Sequence, residues 1–356
     1  MTKSKYYNWQ KTLSYNADVT IVIASRGRGK TYGLRKQCMN DWFRDESTWV
    51  EIVRYKSELG PVMDGYYDKL QSEFPGYIFK TQGGKGYIAP EPPDVDEGEK
   101  KPRIDWKLCT YFIALTDAQN AKKRTYNKVR RLIFDEAILE RRDRFHSYIP
   151  SEYQKLANIV DTTTRERADT EGVHPHLYLL GNACDLLNPY FEIYGINKQP
   201  KFGYHWYRNK TVIIHYEDPG EYANDKLAGT VSGRMTAGTT EGEIAARNSF
   251  VLGGSDLIAK KPRYAKYEFG FVMEGKSLGI WADYKNGYYY ITDKVVSDYG
   301  IIYYITRDDS SINYLACRRA TPAITGLREA HYANIIRYSS PAVMNRFLDM
   351  MQIFGL

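Results

Sequence analysis

Cysteine is scarce in this 356-residue chain and never occurs at the paired spacing of a metal or redox site. A disulfide framework and a structural zinc site are therefore not expected, which suits a reducing cytosol. Long apolar runs are also missing, and the polar start MTKSKYYNWQK lacks the apolar segment of a signal peptide. We expect neither secretion nor a membrane anchor. The four cysteines are Cys38, Cys109, Cys184 and Cys317.

Charge of one sign is not in strong excess either, since the net charge is +7. Such an excess is compatible with a polyanionic partner but also occurs in many enzymes that never bind nucleic acid. With 43% hydrophobic and 26% charged residues, the composition is that of a soluble globular protein. A chain of this length has room for about two domains.

Apolar, strand-like runs alternate with amphipathic segments through the first half of the chain. Four such runs are predicted to be strands, and apolar residues recur at helical spacing after the first of them. This alternation is typical of a parallel sheet flanked by helices, an α/β fold. The predicted strands are residues 19–24, 49–55, 130–137 and 176–182, and the apolar helix positions are Leu34, Cys38, Met39, Trp42 and Phe43.

The second half of the chain has a different composition. Past residue 195, short β-like pieces alternate with Gly, Asn and Asp turns, and the stretch AGTVSGRMTAGTTEGE has the composition of a flexible segment. We therefore predict a first domain over residues 1–200, a linker over 201–244 and a second domain over 245–356.

The junction between the first strand and its helix reads ASRGRGKT. A phosphate-binding P-loop follows G-x-x-x-x-G-K-[ST], in which backbone N–H groups surround the phosphates and a lysine reaches the β and γ oxygens. Here Lys30 would hold the phosphates, Thr31 would bind Mg²⁺, and two arginines would add positive potential. Alanine replaces the first glycine, and a basic turn without a ligand is the alternative. The eight positions are Ala24, Ser25, Arg26, Gly27, Arg28, Gly29, Lys30 and Thr31.

An apolar strand that ends in acids, LIFDEA, would supply the second half of such a site. Asp135 is placed to hold Mg²⁺ through water, and Glu136 is placed to polarise the attacking water of a hydrolase. Two solvated acids at a strand end are the alternative. Asn182 ends the strand LYLLGN and is a candidate sensor of the γ-phosphate or of the water, and a turn-forming asparagine would look the same.

Hydrolysis also requires a cation that arrives in the transition state, often an arginine from a neighbouring subunit. The segment IVDTTTRER offers Arg165 and Arg167, after a helix that begins near PSEYQKL. The segment LERRDR offers Arg141, Arg142 and Arg144. Spacing does not choose between the two groups.

In these motifs the chain resembles the DNA packaging ATPases of small tailed phages of the phi29 type, a branch of the ring-forming translocases related to FtsK and HerA. The likeness extends over nearly the whole chain. It rests on a set of segments in the family's order: YYNWQKTLSYNAD, ASRGRGKTYGL, VRYKSEL, EFPGYIF, LIFDEAI, YIPSEYQKLANIVDTTTR, GNACDLLNPYF and GKSLGIWADYKNGYYYI.

The resemblance implies a homomeric ring, five copies in this family, that stands on the portal of a procapsid in the host cytoplasm and drives double-stranded DNA inward with Mg-ATP. It implies a RecA-like (ASCE) P-loop domain followed by a small α+β domain similar to a ribonuclease H-like nuclease that has lost catalysis. It favours Arg165 as the finger acting in trans, assigns Lys56 to the subunit interface, and sets Tyr7 and Gln10 beside the adenine. A packaging RNA is an open candidate partner, and no membrane is implied.

Two further groups of residues have competing interpretations. The basic loop NAKKRTYNK carries Lys122, Lys123 and Arg124, which would grip DNA phosphates without sequence preference or would form an ordinary solvated charge run. In the second domain, acids that follow strands are interpreted as turn residues rather than as the metal ligands of a working nuclease. These acids are Asp283, Asp293, Asp308 and Asp309.

The predicted function is an oligomeric ATPase motor that packages viral double-stranded DNA. A conjugative or chromosome-type DNA translocase is the alternative within enzymes, and it would not bind a portal. A nucleotide-gated DNA clamp with little turnover is the alternative of another class, and an intact Glu136 argues against it. A small-molecule P-loop kinase is disfavoured because the chain lacks an obvious lid.

Overall fold

Parallel strands form the centre of a nine-stranded sheet. The computed structural model describes residues 6–93, 102–139, 148–164, 174–182, 188–196, 200–239, 257–297 and 300–355. Within these ranges the strand order is β3-β4-β5-β2-β6-β7-β1-β9-β8, with parallel pairs from β5 to β9 and antiparallel pairs at both edges. The strands are β1 (Val19–Ile23), β2 (Thr48–Val53), β3 (Tyr77–Gln82), β4 (Lys85–Pro90), β5 (Lys107–Ala114), β6 (Val129–Ile138), β7 (His176–Gly181), β8 (Gly203–Tyr207) and β9 (Val212–Tyr216).

The central strands are apolar runs because both of their faces are covered. In β1, β2 and β7 nearly every residue is buried, and Val22 of β1 lies beside Leu180 of β7. The four strands predicted from the sequence are β1, β2, β6 and β7, which are neighbours in the middle of the sheet. The prediction of an α/β fold with a parallel sheet is therefore confirmed.

Helices connect the strands and cover the sheet. Helix α2 begins at Lys30, directly after the turn that follows β1, and buries Leu34, Cys38 and Met39 against the sheet. Phe43, which the helical spacing also assigned to this face, is more exposed and stacks on Phe74. The helices are α1 (Trp9–Ser14), α2 (Lys30–Asp45), α3 (Leu59–Met63), α4 (Asp68–Gln71), α5 (Ala118–Ala121), α6 (Glu152–Thr164), α7 (Pro189–Tyr194), α8 (Tyr222–Gly229), α9 (Val231–Thr236), α10 (Pro322–Tyr332) and α11 (Pro341–Ile353).

The region 201–244, expected to be a linker, contributes two strands to this sheet. Strand β9 pairs in parallel with β1, so that Val212 lies beside Val19, and β8 returns antiparallel at the edge. The run VIIHY is apolar enough to be buried next to a central strand. Composition does not reveal which sheet such a run joins, because that choice depends on contacts remote in the chain.

The chain divides into two compact units. The first takes Met1–Glu140, Glu152–Cys184 and Pro200–Phe250. The second takes Val251–Leu356 together with Arg141–Ser151 and Asp185–Gln199. Two short segments that precede residue 200 thus belong to the second unit, which a division by composition along the sequence does not detect.

The second unit is built on a six-stranded mixed sheet of order β14-β13-β10-β11-β12-β15. Helices α10 and α11 pack on it, and Ile280, Ile291 and Phe347 are fully buried in the resulting core. Among the described residues, no helix of either unit is long and apolar enough to cross a membrane. The strands are β10 (Lys266–Met273), β11 (Lys276–Asp283), β12 (Tyr288–Thr292), β13 (Ile301–Tyr304), β14 (Leu315–Ala316) and β15 (Ile336–Tyr338).

Candidate nucleotide site

The turn between β1 and α2 lies at the carboxyl end of a central strand. Gly27 and Gly29 have φ angles of 86° and 72°, a region that favours glycine. A Cβ on Gly27 would also lie 2.6 Å from the hydroxyl oxygen of Tyr222. Helix α2 begins at Lys30, so the N–H groups of its first turn point toward the loop. The backbone therefore has the form that binds an anion.

Alanine at the first position of the loop is accommodated in this turn. Ala24 is fully buried, and its N–H donates to the carbonyl oxygen of Gly181 at 3.2 Å. The hydroxyl of Ser25 is buried and has no hydrogen-bond partner among the described residues. An unmade hydrogen bond of a buried group costs about 1–3 kcal/mol, so this hydroxyl is suited to a ligand in the loop.

Lys30 is 8% exposed and lies where the loop meets β7. Its ammonium group donates to the carbonyl oxygens of Ala24 at 2.6 Å and Ser25 at 3.3 Å, and to Oδ1 of Asn182 at 3.0 Å. Strand β7 lies between β1 and β6, so Asn182 at its end stands between the loop and the acids of β6. The fold thus joins a lysine and an asparagine that are 152 residues apart.

A hydroxyl and a carboxylate meet beside the start of α2. Thr31 Oγ1 donates to Oδ2 of Asp135 at 2.7 Å. Such oxygen donors suit Mg²⁺, which is usually held by one or two carboxylates together with water and substrate phosphates. In the described part of the chain, no group of three or more His, Cys, Asp or Glu side chains could hold a metal. One hydroxyl and one carboxylate at this distance fit the protein's share of a Mg-nucleotide site.

Glu136 adopts a left-handed backbone conformation, with φ of 51°. Strand β6 shifts its register against β7 at this point. The kink is held by Arg54, whose Nη2 donates to the carbonyl oxygen of Ala137 at 2.9 Å, and by the Glu136 N–H, which donates to Oδ1 of Asp135 at 3.0 Å. Strain of this kind costs of order 1–3 kcal/mol and concentrates at functional sites. The Glu136 side chain is exposed and lines a cavity.

That cavity has a volume of about 530 Å³ and joins the groups described above. Its walls come from the P-loop, from the ends of β6 and β7, and from residues 61–70. The volume is within the range of roughly 300–1,000 Å³ that small-molecule sites occupy. A buried lysine, an open helix start and a paired hydroxyl and carboxylate together fit a bound nucleoside triphosphate.

The two arginines of the loop have different surroundings. Arg26 is exposed and lines the cavity. Arg28 pairs with Glu217, whose Oε1 is 2.7 Å from Nη2, and its guanidinium lies 4.9 Å from the centre of the Tyr222 ring. Glu217 thus offsets the positive potential expected from Arg28 and ties the loop to the segment after β9.

Tyr7 and Gln10 do not line the cavity. The Tyr7 hydroxyl is buried 2.8 Å from Oγ1 of Thr12 and 2.6 Å from Nδ1 of His215. Burial lowers the pKa of His215 to about 4, so this hydrogen bond joins two neutral groups at pH 7. The Tyr7 N–H donates to the carbonyl oxygen of Arg28 at 2.9 Å. Tyr7 therefore anchors the segment before α1 to the loop, and its predicted contact with adenine stays a prediction.

Lys56 and the basic loop at residues 122–124 do not line the cavity. Lys56 is 70% exposed. Lys122, Lys123 and Arg124 are exposed between α5 and β6, at the end of β6 opposite to the acids. Arg165 lies outside the described residues, directly after the end of α6. The competing arginines also lie outside them: Arg141, Arg142, Arg144 and Arg167.

Two of the acids in the second unit are engaged in turns. Asp283 accepts hydrogen bonds from two backbone N–H groups of the turn that follows it, at 3.0 and 3.1 Å. Asp309 accepts from two N–H groups of the turn between β10 and β11, both at 2.7 Å. Asp293 and Asp308 are exposed. The described acids of this unit do not gather into a cluster that could hold metal ions.

Residues 1–345 match a sequence family described as Podovirus DNA encapsidation protein (Gp16). The chain belongs to this family. The match includes every part of the nucleotide site and nearly all of the second unit. The DNA packaging protein of Bacillus phage phi29 is 28% identical over 348 residues, which are 98% of this encapsidation protein and 94% of that relative.

The solved structures that are similar to this chain include two from phage phi29. A chain in the bacteriophage Phi-29 viral genome packaging motor assembly is 25% identical, with a TM-score of 0.62 over 99% of this chain and 100% of that chain. The crystal structure of the N-terminal domain of the DNA packaging ATPase from bacteriophage phi29 is 29% identical. Its TM-score is 0.51, and the match covers 62% of this chain and 100% of that chain.

Sequence reasoning about this encapsidation protein missed two ion pairs beside the site. Arg54 pairs with Glu152, and Arg35 pairs with Glu51. One signal was available, because Glu51 stands within the apolar run WVEIV and a buried charge requires a partner. No comparable signal exists for Arg54 and Glu152, which are 98 residues apart.

In this encapsidation protein, Arg54→Met is expected to lower the free energy of unfolding by about 3–5 kcal/mol, because it leaves the Glu152 carboxylate buried without its guanidinium. The two side chains are 6% and 0% exposed, with Nε 2.9 Å from Oε2. Urea denaturation followed by circular dichroism measures the change. Arg44→Met is the control: Arg44 is 57% exposed, and its loss should cost less than about 1 kcal/mol. Equal losses in the two variants would contradict the expectation.

Proposed function

We propose that this phage DNA packaging ATPase hydrolyses Mg-ATP between the subunits of a homomeric ring and thereby drives double-stranded DNA into a procapsid. The observation that carries the proposal is one cavity that joins the P-loop, the acids of β6 and Asn182. These groups follow three neighbouring parallel strands whose carboxyl ends meet at one edge of the sheet. This edge is where open α/β sheets bind their ligands.

Each group of the cavity has a role in hydrolysis. Lys30 and the loop N–H groups hold the phosphates, and Thr31 and Asp135 would hold Mg²⁺. Bound Mg²⁺ would neutralise charge on the phosphate oxygens. Glu136 accepts a proton from the attacking water as the water oxygen bonds to the γ-phosphorus and the bond to the bridging oxygen of ADP breaks. Asn182, which accepts a hydrogen bond from Lys30, orients that water or senses the γ-phosphate.

Two cations act across the subunit interface in this proposal. The family pattern supports Arg165 as the finger that neutralises charge in the transition state of the neighbouring site. In the sequence, this arginine directly follows Thr164, the last residue of helix α6. Lys56, which is 70% exposed and does not line the cavity of its own subunit, is suited to reach a neighbour. The proposed ring has five subunits, the number that the family resemblance implies.

The ring would stand on the portal of a procapsid in the host cytoplasm. The likeness to a chain of the Phi-29 packaging motor assembly supports partners of this kind. The second unit would be a ribonuclease H-like fold without catalysis that serves in docking, and the turn-bound Asp283 and Asp309 support this role. A packaging RNA would be a further partner of the ring.

Steady-state ATP hydrolysis, measured with and without long double-stranded DNA and empty procapsids, tests the proposal. We expect turnover that rises most when both are present. Stimulation by DNA with no effect of procapsids would favour a conjugative or chromosome-type translocase. Tight ATP binding without turnover under every condition would indicate a nucleotide-gated clamp and overturn the motor.

Joint replacement of Lys122, Lys123 and Arg124 by Ala is expected to weaken DNA binding to a similar degree for all sequences. The binding constant K falls as salt rises, and each lost phosphate contact makes the slope of log K against log salt less negative by about 0.9. Fluorescence anisotropy at several salt concentrations measures that slope. Because the loop lies at the end of β6 opposite to the acids, ATP hydrolysis without DNA should be unchanged.

Exposed cations elsewhere in the first unit supply the control. Arg208 and Lys210 lie in the turn between β8 and β9 and are exposed. Their joint replacement by Ala should leave the salt slope close to that of the wild type. If both sets of variants reduced the steepness of the salt slope equally, the loop at 122–124 would have no special part in DNA binding.

A further inference from the structure

Arg35 borders the nucleotide cavity from helix α2, one turn after Thr31. Residues four apart in a helix share a face and are neighbours about 5–6 Å apart. Arg35 therefore reaches the same cavity as Thr31, on the side of Asp135. Burial by itself would lower the pKa of Arg35, but the nearby carboxylates of Glu51 and Asp135 raise it above its ordinary value.

Buried side chains hold this guanidinium in one orientation. Nη2 of Arg35 donates to Oε1 of Glu51 at 2.5 Å, and the guanidinium carbon lies 4.3 Å from the centre of the Tyr66 ring. The Tyr66 hydroxyl donates to Oε2 of Glu51 at 2.8 Å, and Nε1 of Trp49 donates to that hydroxyl at 2.9 Å. Nε of Arg35 is buried and has no hydrogen-bond partner among the described residues.

The roles proposed for the other residues leave this cation unused. The P-loop, Lys30 and Asn182 surround the phosphates from the side of β1 and β7, whereas Arg35 and Tyr66 form the wall on the side of β2. Lys69 and Asp64, which are exposed and of opposite charge, line the same wall. A buried ion pair adds little net stability, because desolvation offsets the attraction. A guanidinium in the wall of a reaction cavity, of which Glu51 engages one Nη group, therefore points to a ligand of negative charge.

We propose that Arg35 receives the inorganic phosphate that hydrolysis releases, and so forms a product subsite next to the catalytic acids. This inference rests on the ATPase site proposed above. Glu51 engages one Nη group, which leaves other N–H groups of the planar guanidinium for phosphate oxygens, and such charge-assisted bonds are strong. Glu51 and Tyr66 are positioning residues that hold the guanidinium without contacting the phosphate.

Product inhibition by inorganic phosphate tests the subsite. ATP hydrolysis by the full chain is measured at increasing phosphate concentration in the wild type and in Arg35→Met, together with the equilibrium affinity for ATP. We expect the inhibition constant of phosphate to rise about tenfold or more, the loss expected for a hydrogen bond to a charged group, while ATP affinity changes less than about twofold. Arg35→Lys keeps the charge but loses the planar guanidinium. Its inhibition constant for phosphate should lie between those of the wild type and Arg35→Met.

Arg130→Met is the matched control. Arg130 is 23% exposed, against 21% for Arg35, and pairs with Asp45 at the end of β6 that lies away from the cavity. Its loss should leave phosphate inhibition unchanged. Tyr66→Phe removes a single hydroxyl and provides a second test if Arg35→Met does not fold, with an expected rise in the inhibition constant of about twofold to tenfold.

Several results would overturn the subsite. One is an inhibition constant of phosphate that is unchanged in folded Arg35→Met. Another is a loss of ATP affinity as large as the loss of phosphate inhibition, which would make Arg35 a ligand of the γ-phosphate. Measuring Glu136→Gln in the same series separates the two proposals. Hydrolysis that does not need Glu136 would overturn the catalytic base proposed for the ATPase site. Hydrolysis that needs Glu136, but whose inhibition by phosphate is the same in the wild type and in Arg35→Met, would overturn the subsite alone.

Discussion

Glu136→Gln is expected to lower kcat for ATP hydrolysis by about 10²-fold to 10⁴-fold, because a carboxamide cannot accept the proton of the attacking water. ATP affinity should change little, since in the proposed site the loop backbone and Lys30 hold the phosphates. The kink around Glu136 is held by Arg54 and by the Asp135 carboxylate, so the substitution should leave the fold intact. Steady-state hydrolysis and equilibrium ATP binding, measured side by side, separate catalysis from binding.

Glu91→Gln is the matched control for this substitution. Glu91 is exposed, follows β4 and does not line the cavity. Its variant should keep the turnover of the wild type. Full turnover in Glu136→Gln would assign the catalytic base to another residue, and a parallel loss of ATP binding would mean that the variant disturbs the loop instead of the chemistry.

Arg165→Ala is expected to lower kcat by about 10³-fold to 10⁵-fold, the effect of removing an arginine finger from a phosphoryl-transfer site. A finger that acts in trans also makes the activity of the wild type rise more than linearly with protein concentration, because the complete site exists only in the assembly. Hydrolysis rates over a dilution series measure this dependence. A strictly linear rise would indicate that each subunit completes its own site.

Mixing variants gives a sharper test of the same arrangement. Arg165→Ala subunits retain Glu136, and Glu136→Gln subunits retain Arg165, so a mixed ring contains some interfaces with both groups. In a random equal mixture, roughly a quarter of the head-to-tail interfaces are complete, and hydrolysis should recover in proportion. Arg142→Ala is the comparison, because it should keep most activity by itself. Recovery with Arg142→Ala but not with Arg165→Ala would identify Arg142 as the finger.

Much of the nucleotide site could be predicted because its parts are contiguous in the chain. Five neighbouring positions contain both left-handed glycines, Gly27 and Gly29, together with the lysine and the threonine. One turn and one helix start therefore hold them all. Asp135 and Glu136 likewise follow directly on a buried apolar run. The meeting of Thr31 with Asp135 then follows from the parallel pairing of strands that end at one edge.

Pairs of distant charges could not be predicted in the same way. Arg28, which was expected to add positive potential to the loop, pairs with Glu217, 189 residues away in the segment after β9. No sequence motif marks Arg35, although it pairs with Glu51 in the wall of the cavity. Each of these partners is one of many acids in the chain, and strand order decides which of them comes within reach.

The amino-acid sequence by itself determined the strand, loop and helix of the P-loop, the acids after an apolar strand, and the resemblance to the packaging family. Only the tertiary structure decided that residues 203–216 extend the first sheet beside β1, that Asn182 stands between the loop and the acids, and that Arg35 borders the cavity. The reason is physical. Periodicity and turn chemistry act over a few residues, whereas strand order and charge pairing result from the burial of whole faces by segments that are remote in the chain.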